Sequence, residues 1–300
     1  MSVGRNLRRM AESLSGLATQ PRMSARNYST AASVAMIVPL LVAFGLGFFY
    51  PVARLITMSF EDGLDAYRRI FAEALYIDVL VTTAALAALV SALCIGLGYP
   101  VAWAMARSRP RIGALIAACV FIPLWTSVLI RSYAWIVLLQ RQGLVNALIQ
   151  TLGLSDQPVK LLYTQGAVVL AMTHVLMPFA ILPIYSNLKT LPGDLERAAS
   201  SLGANRLKAF AFVILPLSLP GVFAAAILTF VMALGFYITP ALLGGPGSML
   251  MSTLIGQQTT VVLDWPFAAA LSTTLLALTL VIVGAFHRLL KISKGFDHVQ

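Results

Sequence analysis

Charge is scarce in this chain. Asp, Glu, Lys and Arg make up 11% of its 300 residues, where soluble domains carry about 25%. That leaves too little polar side chain to cover a water-soluble globule. Acids are missing from the middle of every apolar block. Carriers coupled to protons or cations use intramembrane acids, so ion coupling is disfavoured. There are two cysteines, Cys94 and Cys119, both within apolar blocks. Their spacing gives no metal site, and both are expected to pack as small buried hydrophobes. No Gly-x-x-x-x-Gly-Lys-Ser/Thr loop occurs, so the chain has no phosphate loop with which to hydrolyse a nucleotide. No Ser/His/Asp, paired-carboxylate or metal-spaced cluster marks a catalytic site. The chain is read as a non-enzyme with no cofactor or metal of its own.

What is present is hydrophobic sequence, 59% of the residues, in blocks long enough to cross roughly 30 Å of hydrocarbon. Six blocks stand out: residues 34–58, 79–106, 112–130, 166–188, 217–238 and 266–286. The fold class is therefore all-α, a polytopic membrane bundle of six transmembrane helices. The third block is ambiguous because apolar character continues past Arg131. One helix followed by a lateral segment at the membrane surface fits best, with Trp125, Tyr133 and Trp135 as interface aromatics. Seven spans is the alternative count.

Basic residues set the orientation. With six spans, one side collects the N-terminal tail, the loop after residue 106, the loop after residue 188 and the C-terminal tail. Those segments hold 15 of the 21 Lys and Arg residues, while seven of the eleven acids fall on the other side. Both termini are expected in the cytoplasm. The net charge of +10 is thus a topology signal, and no nucleic-acid partner is implied. Residues 1–33 read as a basic cytoplasmic tail, although their Arg- and Ser-rich composition also resembles a transit peptide. Residues 34–290 form the membrane domain, and residues 291–300 a short C-terminal tail.

Ionisable groups inside the blocks are few. His174 lies well inside the fourth and reads as a helix–helix hydrogen bond. Arg54 and Arg131 lie near the expected outer ends, where long side chains can snorkel. Small residues are dense in the second and fifth blocks, as in TTAALAA from residue 82 and AAA from residue 224, which lets helices approach closely.

The stretch DLERAASSLGANRLKAFAFVILPLSLPG, residues 194–221, is polar and helix-forming between two very apolar blocks. Asp194 can cap a short helix over residues 195–202. Gly203 can end it in a left-handed conformation. A second piece follows over residues 205–213, with Leu207, Phe210 and Val213 spaced along one face. Leu215-Pro216 then turns the chain into the fifth span. The product is a helix–turn–helix on the cytoplasmic face that can pass force from a partner to the bundle.

This stretch resembles the "EAA" loop of permease subunits of binding-protein-dependent ABC importers. Ala198, Ala199, Gly203, Val213, Leu215 and Pro216 stand at the family's spacing. Arg197 occupies the usual Glu position and Glu196 lies one residue earlier. The segments starting at Pro123 (PLWTSVLIRSYAW), Thr239 (TPALLGGPG) and Asp264 (DWPFAAALS) are similar to spermidine/putrescine-type permeases in particular. The resemblance implies a pore-forming subunit in a bacterial inner membrane. It further implies two cytoplasmic ATPase subunits using ATP and Mg, a second homologous permease and a periplasmic substrate-binding protein. On this reading residues 190–216 are the coupling loop, with Glu196, Arg197, Ala198, Ala199, Gly203, Ala204, Leu207, Phe210, Leu215 and Pro216 as its contact residues. For a polyamine or related amine, Trp135, Tyr237, Asp264 and Trp265 are candidate pathway residues, since cations seek carboxylates and aromatic faces. Arg131 would repel such a solute unless paired, with Asp264 a candidate partner. Asp264 as a helix cap and Trp265 as an interface anchor is the competing assignment. A secondary carrier or channel without ATP drive is the alternative function.

Overall fold

A computed structural model describes residues 30–295, and every regular element among them is helical. The basic tail expected over residues 1–33 lies outside the described residues except for its last four. The end of the C-terminal tail, residues 296–300, lies outside them as well.

Helix α1 (Thr30–Phe44) passes through a π turn, Gly45–Phe49, into α2 (Tyr50–Met58). Together they carry the first span, Val34–Met58. A proline ring crowds the carbonyl four residues earlier, and a π turn relieves such crowding by widening the helix. Pro51 follows Gly47 by four residues, so the turn sits where the relief is needed. The segment up to Arg54 is a unit by itself.

The second unit runs from Leu55. In order it contains α3 (Asp65–Ala72), α4 (Ala74–Arg107), α5 (Pro110–Phe121), α6 (Val128–Leu139), α7 (Leu144–Thr151), α8 (Gln165–Thr190) and α9 (Leu195–Ser201). Then come α10 (Arg206–Ala209), α11 (Leu215–Leu234), α12 (Ile238–Leu243), α13 (Met251–Gln257) and α14 (Trp265–Gly295). Among the described residues, five helical stretches are long and apolar enough to cross a membrane. A sixth forms if Pro110–Trp125 and Val128–Thr151, bent by 99°, count as one span. The block over residues 112–130 is therefore not one helix. It closes with a 3-10 turn, Ile122–Trp125, and breaks at Thr126, which is extended. Ser127 then caps α6 by accepting from the Leu129 N–H at 3.3 Å. A cap of this kind starts a new helix in a new direction.

The core is the packing of α4, α8 and α11 on one another. All three are apolar around their circumference, and their buried faces mix small residues and hydroxyls with large side chains such as Met172, Leu176 and Leu234. Ala87, Val90 and Cys94 of α4, Ala171, Ala180 and Ile184 of α8, and Ala225 of α11 are fully buried. At Gly221 of α11 an added Cβ would lie 2.6 Å from the Asn187 Cβ and 2.9 Å from the Pro183 carbonyl oxygen. Only glycine allows α8 and α11 to approach this closely. Hydroxyls link the same helices. Ser91 and Thr229 hydrogen-bond at 2.8 Å, and the Ser91 hydroxyl also reaches the Ala226 carbonyl at 3.1 Å. Tyr99 and Ser218 pair at 2.7 Å. Each such link contributes about 0.6–2 kcal/mol in a bilayer.

Of the two cysteines, Cys94 is buried as expected, whereas Cys119 is exposed. Its helix, α5, has no buried residue. A second apolar cluster closes the end opposite α9, where Ile70, Tyr76, Met251, Phe267 and Leu271 meet. The Arg69 guanidinium lies 4.5 Å from the centre of the Phe267 ring. Asp264 and the segments carrying Glu61, Asp65 and Glu73 gather at this end. Arg107, Arg197 and Arg206 gather at the other.

Gly221→Ala is expected to destabilise the purified protein by about 1–3 kcal/mol, the usual range for overpacking. Gly96→Ala on α4 has open space around its Cβ and should be neutral. Thermal unfolding in detergent, followed through exposure of Cys94, distinguishes the two.

Candidate functional site

The stretch between α8 and α11 forms the structured object that its sequence indicates, with three differences. Asp194 sits at the cap position of α9, but its carboxylate makes no backbone hydrogen bond there. It pairs with Arg197 at 3.3 Å instead. The end of α9 is as expected: Gly203 adopts φ +84°, and the Ala204 N–H returns to the Ala199 carbonyl at 3.0 Å. Asn205 then caps α10, its side-chain oxygen accepting from the Lys208 N–H at 2.8 Å. The second difference follows. Leu215-Pro216 does not turn the chain. From Arg206 to Leu234 one continuous span runs through a π turn, Phe210–Ile214. Pro216 follows Phe212 by four residues, so the wide turn again accommodates the proline ring without breaking the helix.

Helical geometry sorts the loop residues into two faces. Ala199 is buried at 8% exposure, as are Ala209 and Ile214. Ala204, Glu196, Phe210 and Leu215 are partly buried. The Phe210 ring meets Tyr99 and Trp103 of α4 edge-on, with centroids 5.6 Å and 5.8 Å away. Arg197, Ala198, Gly203, Leu207 and Pro216 face outward. Leu207 therefore does not share a face with Phe210. Two apolar side chains that the spacing does not single out are also prominent: Leu202 is 90% exposed and Phe212 is 78% exposed. The signal for Leu202 is its place, a leucine at the end of a polar helix just before Gly203.

Glu196 points into the chain. Its Oε1 lies 3.2 Å from Nε of Arg107, the last residue of α4. The contact is an ion pair by distance, without an aligned hydrogen bond. It ties α9 to the end of the core helix across a cavity of about 550 Å³ that Arg197 and Arg206 also line.

The four candidate pathway residues do not converge. Among the described residues, no hydrogen bond, ion pair or ring contact joins any two of them. Trp135 donates its indole N–H to His174 Nδ1 at 3.3 Å, which makes His174 the helix–helix link its position indicates. Asp264 caps α14 by accepting from the Phe267 N–H at 3.1 Å. Its carboxylate is therefore engaged, and it forms no ion pair with Arg131. Trp265 is exposed beside it. Tyr237 alone lines a large cavity, of about 560 Å³, between α11, α13 and α14. Its lining mixes the hydroxyls of Ser252, Thr259, Thr260, Ser272 and Thr279 with apolar side chains such as Leu234, Ile255 and Leu275. Single hydroxyl residues scattered through three segments carry no spacing signal in sequence. No group of His, Cys, Asp and Glu among the described residues is arranged to hold a metal ion.

Gly203 has open space around it, so only backbone strain penalises a side chain there. Gly203→Val should cost about 1–2 kcal/mol, while Gly203→Asn, which tolerates the left-handed region, should cost little. Hydrogen exchange across residues 195–209 should speed up in the Val variant and stay near wild type in the Asn variant.

The family described as "Binding-protein-dependent transport system inner membrane component" matches residues 96–291. The "Spermidine/putrescine transport system permease protein PotB" of Escherichia coli (strain K12) is 34% identical over 241 residues, covering 80% of this chain and 86% of that protein. The "Inner membrane ABC transporter permease protein YdcU" of the same strain is 32% identical over 280 residues, covering 83% and 88%. In structure, the chain is similar to a subunit of a bacterial alginate ABC transporter solved in complex with an alginate pentasaccharide-bound periplasmic protein. The TM-score is 0.69 at 21% identity, with 84% of this chain and 91% of that one covered. This chain belongs to the family of inner-membrane permease components of binding-protein-dependent ABC importers.

Proposed function

We propose that this multi-pass inner-membrane permease subunit forms half of the pathway for a polyamine or related small amine, driven by separate ATPase subunits. A second, homologous permease supplies the other half, and two cytoplasmic ATPases use ATP and Mg. A periplasmic binding protein delivers the solute to the acidic end of the bundle. In this reading both termini and the α9–α10 loop lie in the cytoplasm, and ATP binding shifts the bundle between inward- and outward-open states.

One observation carries the coupling role. The loop is anchored inward by Ala199, Phe210 and the Arg107–Glu196 pair, yet presents Leu202 and Leu207 outward at 90% and 79% exposure. Apolar side chains held out on a fixed polar loop suit a docking partner. Support for the amine comes from the named substrate of the PotB relatives and from the hydroxyl side chains within the cavity beside the Tyr237 ring. Hydroxyl oxygens accept hydrogen bonds from ammonium groups, and aromatic faces attract them.

The test is ATP-dependent spermidine uptake by the complete importer in proteoliposomes. Leu202→Asp and Leu207→Asp put carboxylates into the docking face, where an unpaired buried charge costs several kcal/mol. Each 1.4 kcal/mol is tenfold in affinity, so uptake should fall at least tenfold with the permease still monodisperse. Uptake at normal rates in both variants, or uptake without any ATPase, would replace this reading with an ATP-independent carrier or channel.

A further inference from the structure

The cavity beside Tyr237 takes its shape from one face of α13. α11 ends at Leu234 and α12 starts at Ile238, and α13 holds the link between them. Ser252 donates its hydroxyl to the Phe236 carbonyl at 2.8 Å. Gly256 lies four residues further along α13, on the same face, against the Tyr237 ring. A Cβ added at Gly256 would lie 2.5 Å from Cε2, 3.0 Å from Cζ and 3.1 Å from the hydroxyl oxygen of Tyr237. The ring therefore rests directly on the helix backbone, with its other side open to the cavity that it lines.

The backbone at Gly256 does not itself call for glycine. Its φ is not in the left-handed region, and within a helix glycine is less favourable than alanine. The neighbour that needs the missing side chain is Tyr237. The hydroxyls in the same cavity fix what the ring works alongside. Ser252, Thr259, Thr260, Ser272 and Thr279 each donate their proton to a backbone carbonyl. Their oxygens are left to accept, which suits the N–H groups of an ammonium. The ring and these acceptors together bound the space an amine can occupy.

We propose that Gly256 is a positioning residue for solute selection: it lets the Tyr237 ring lie against α13 and so keeps the cavity wide enough for the longer amines. This inference rests on the amine reading above and adds to it the residue that sets solute size. Ordinary contact begins near 3.4 Å, so a methyl group at position 256 would displace the ring by about 1 Å. The ring is 46% exposed, and the free space beside it is the cavity.

Uptake of spermidine and of putrescine is measured in proteoliposomes holding the complete importer. The same receptor is used throughout, so its own preference cancels when permease variants are compared. Gly256→Ala should lower the spermidine-to-putrescine uptake ratio at least about tenfold, the low end of what a methylene-sized misfit in a pocket is worth. In a Tyr237→Leu background, where the ring is gone, Gly256→Ala should leave the ratio as Tyr237→Leu alone sets it. An unchanged ratio in Gly256→Ala overturns the proposal. So does an equal fall for both solutes, which would make Gly256 a packing residue only, or a ratio shift that persists in the Tyr237→Leu background. If Gly256→Ala is not recovered as a folded protein, Tyr237→Leu carries the test: the widened cavity should raise the ratio, and no rise overturns the proposal. Uptake of neither solute by the wild type overturns the amine reading itself.

Discussion

In a bilayer the hydrophobic effect does not drive helix against helix, because lipid tails are as apolar as leucine. The close contact of α4, α8 and α11 has to come from shape and from hydrogen bonds between helices. Gly221 lets α11 reach the backbone of α8 at Pro183. The Ser91–Thr229 and Tyr99–Ser218 pairs join α11 to α4. The rest of the second unit depends on this contact. α4 carries Arg107 at one end, which holds α9 through Glu196. At its other end α4 carries Thr83, whose hydroxyl accepts the Met251 N–H at 2.9 Å and so positions α13.

The loop between α8 and α11 is thus an extension of the core. α11 enters the loop without a break, since the π turn over Phe210–Ile214 keeps the helix continuous past Pro216. Tyr99 and Trp103 of α4 grip the Phe210 ring on one side, and Arg107 holds Glu196 on the other. In the proposed coupling role, a push on the outward residues Leu202 and Leu207 would move α4 and α11 together. Arg197 stands where the resembled loop has Glu and points outward, while Glu196, one residue earlier, is turned inward to Arg107. One residue of displacement rotates a helical side chain by about 100°, which leaves Arg197 outward and Glu196 paired inward with Arg107.

Much of this was legible in the sequence. Long apolar blocks and the paucity of charge identify the spans, because the hydrocarbon thickness leaves few other options. Gly203 was readable as a left-handed cap because its place after a short helix and before Asn205 is specific. Three features were not readable, for physical reasons. Pro216 looks like a turn because sequence does not reveal that a π turn will absorb its ring. The inward direction of Ala199 beside the outward Ala198 depends on what packs beneath α9. The new direction of α6 depends on the bend at Thr126 and Ser127, which an apolar run conceals. The candidate pathway residues are not brought together. Asp264 serves as a cap and Trp135 as a partner to His174, and the hydroxyl-lined cavity draws on three separated segments.

The central claim is that the α9–α10 loop and the α4 core move as one piece when nucleotide binds. Nitroxide labels at Ser200 on the loop and Leu97 on the exposed side of α4, in a background lacking Cys94 and Cys119, test this by electron–electron distance measurement in the complete importer. The account predicts one unchanged Ser200–Leu97 distance distribution with and without ATP, while distances between the two permease subunits shift. A new peak in the Ser200–Leu97 distribution on adding ATP would contradict it, because the loop would then be moving independently of the helix that is meant to carry its motion.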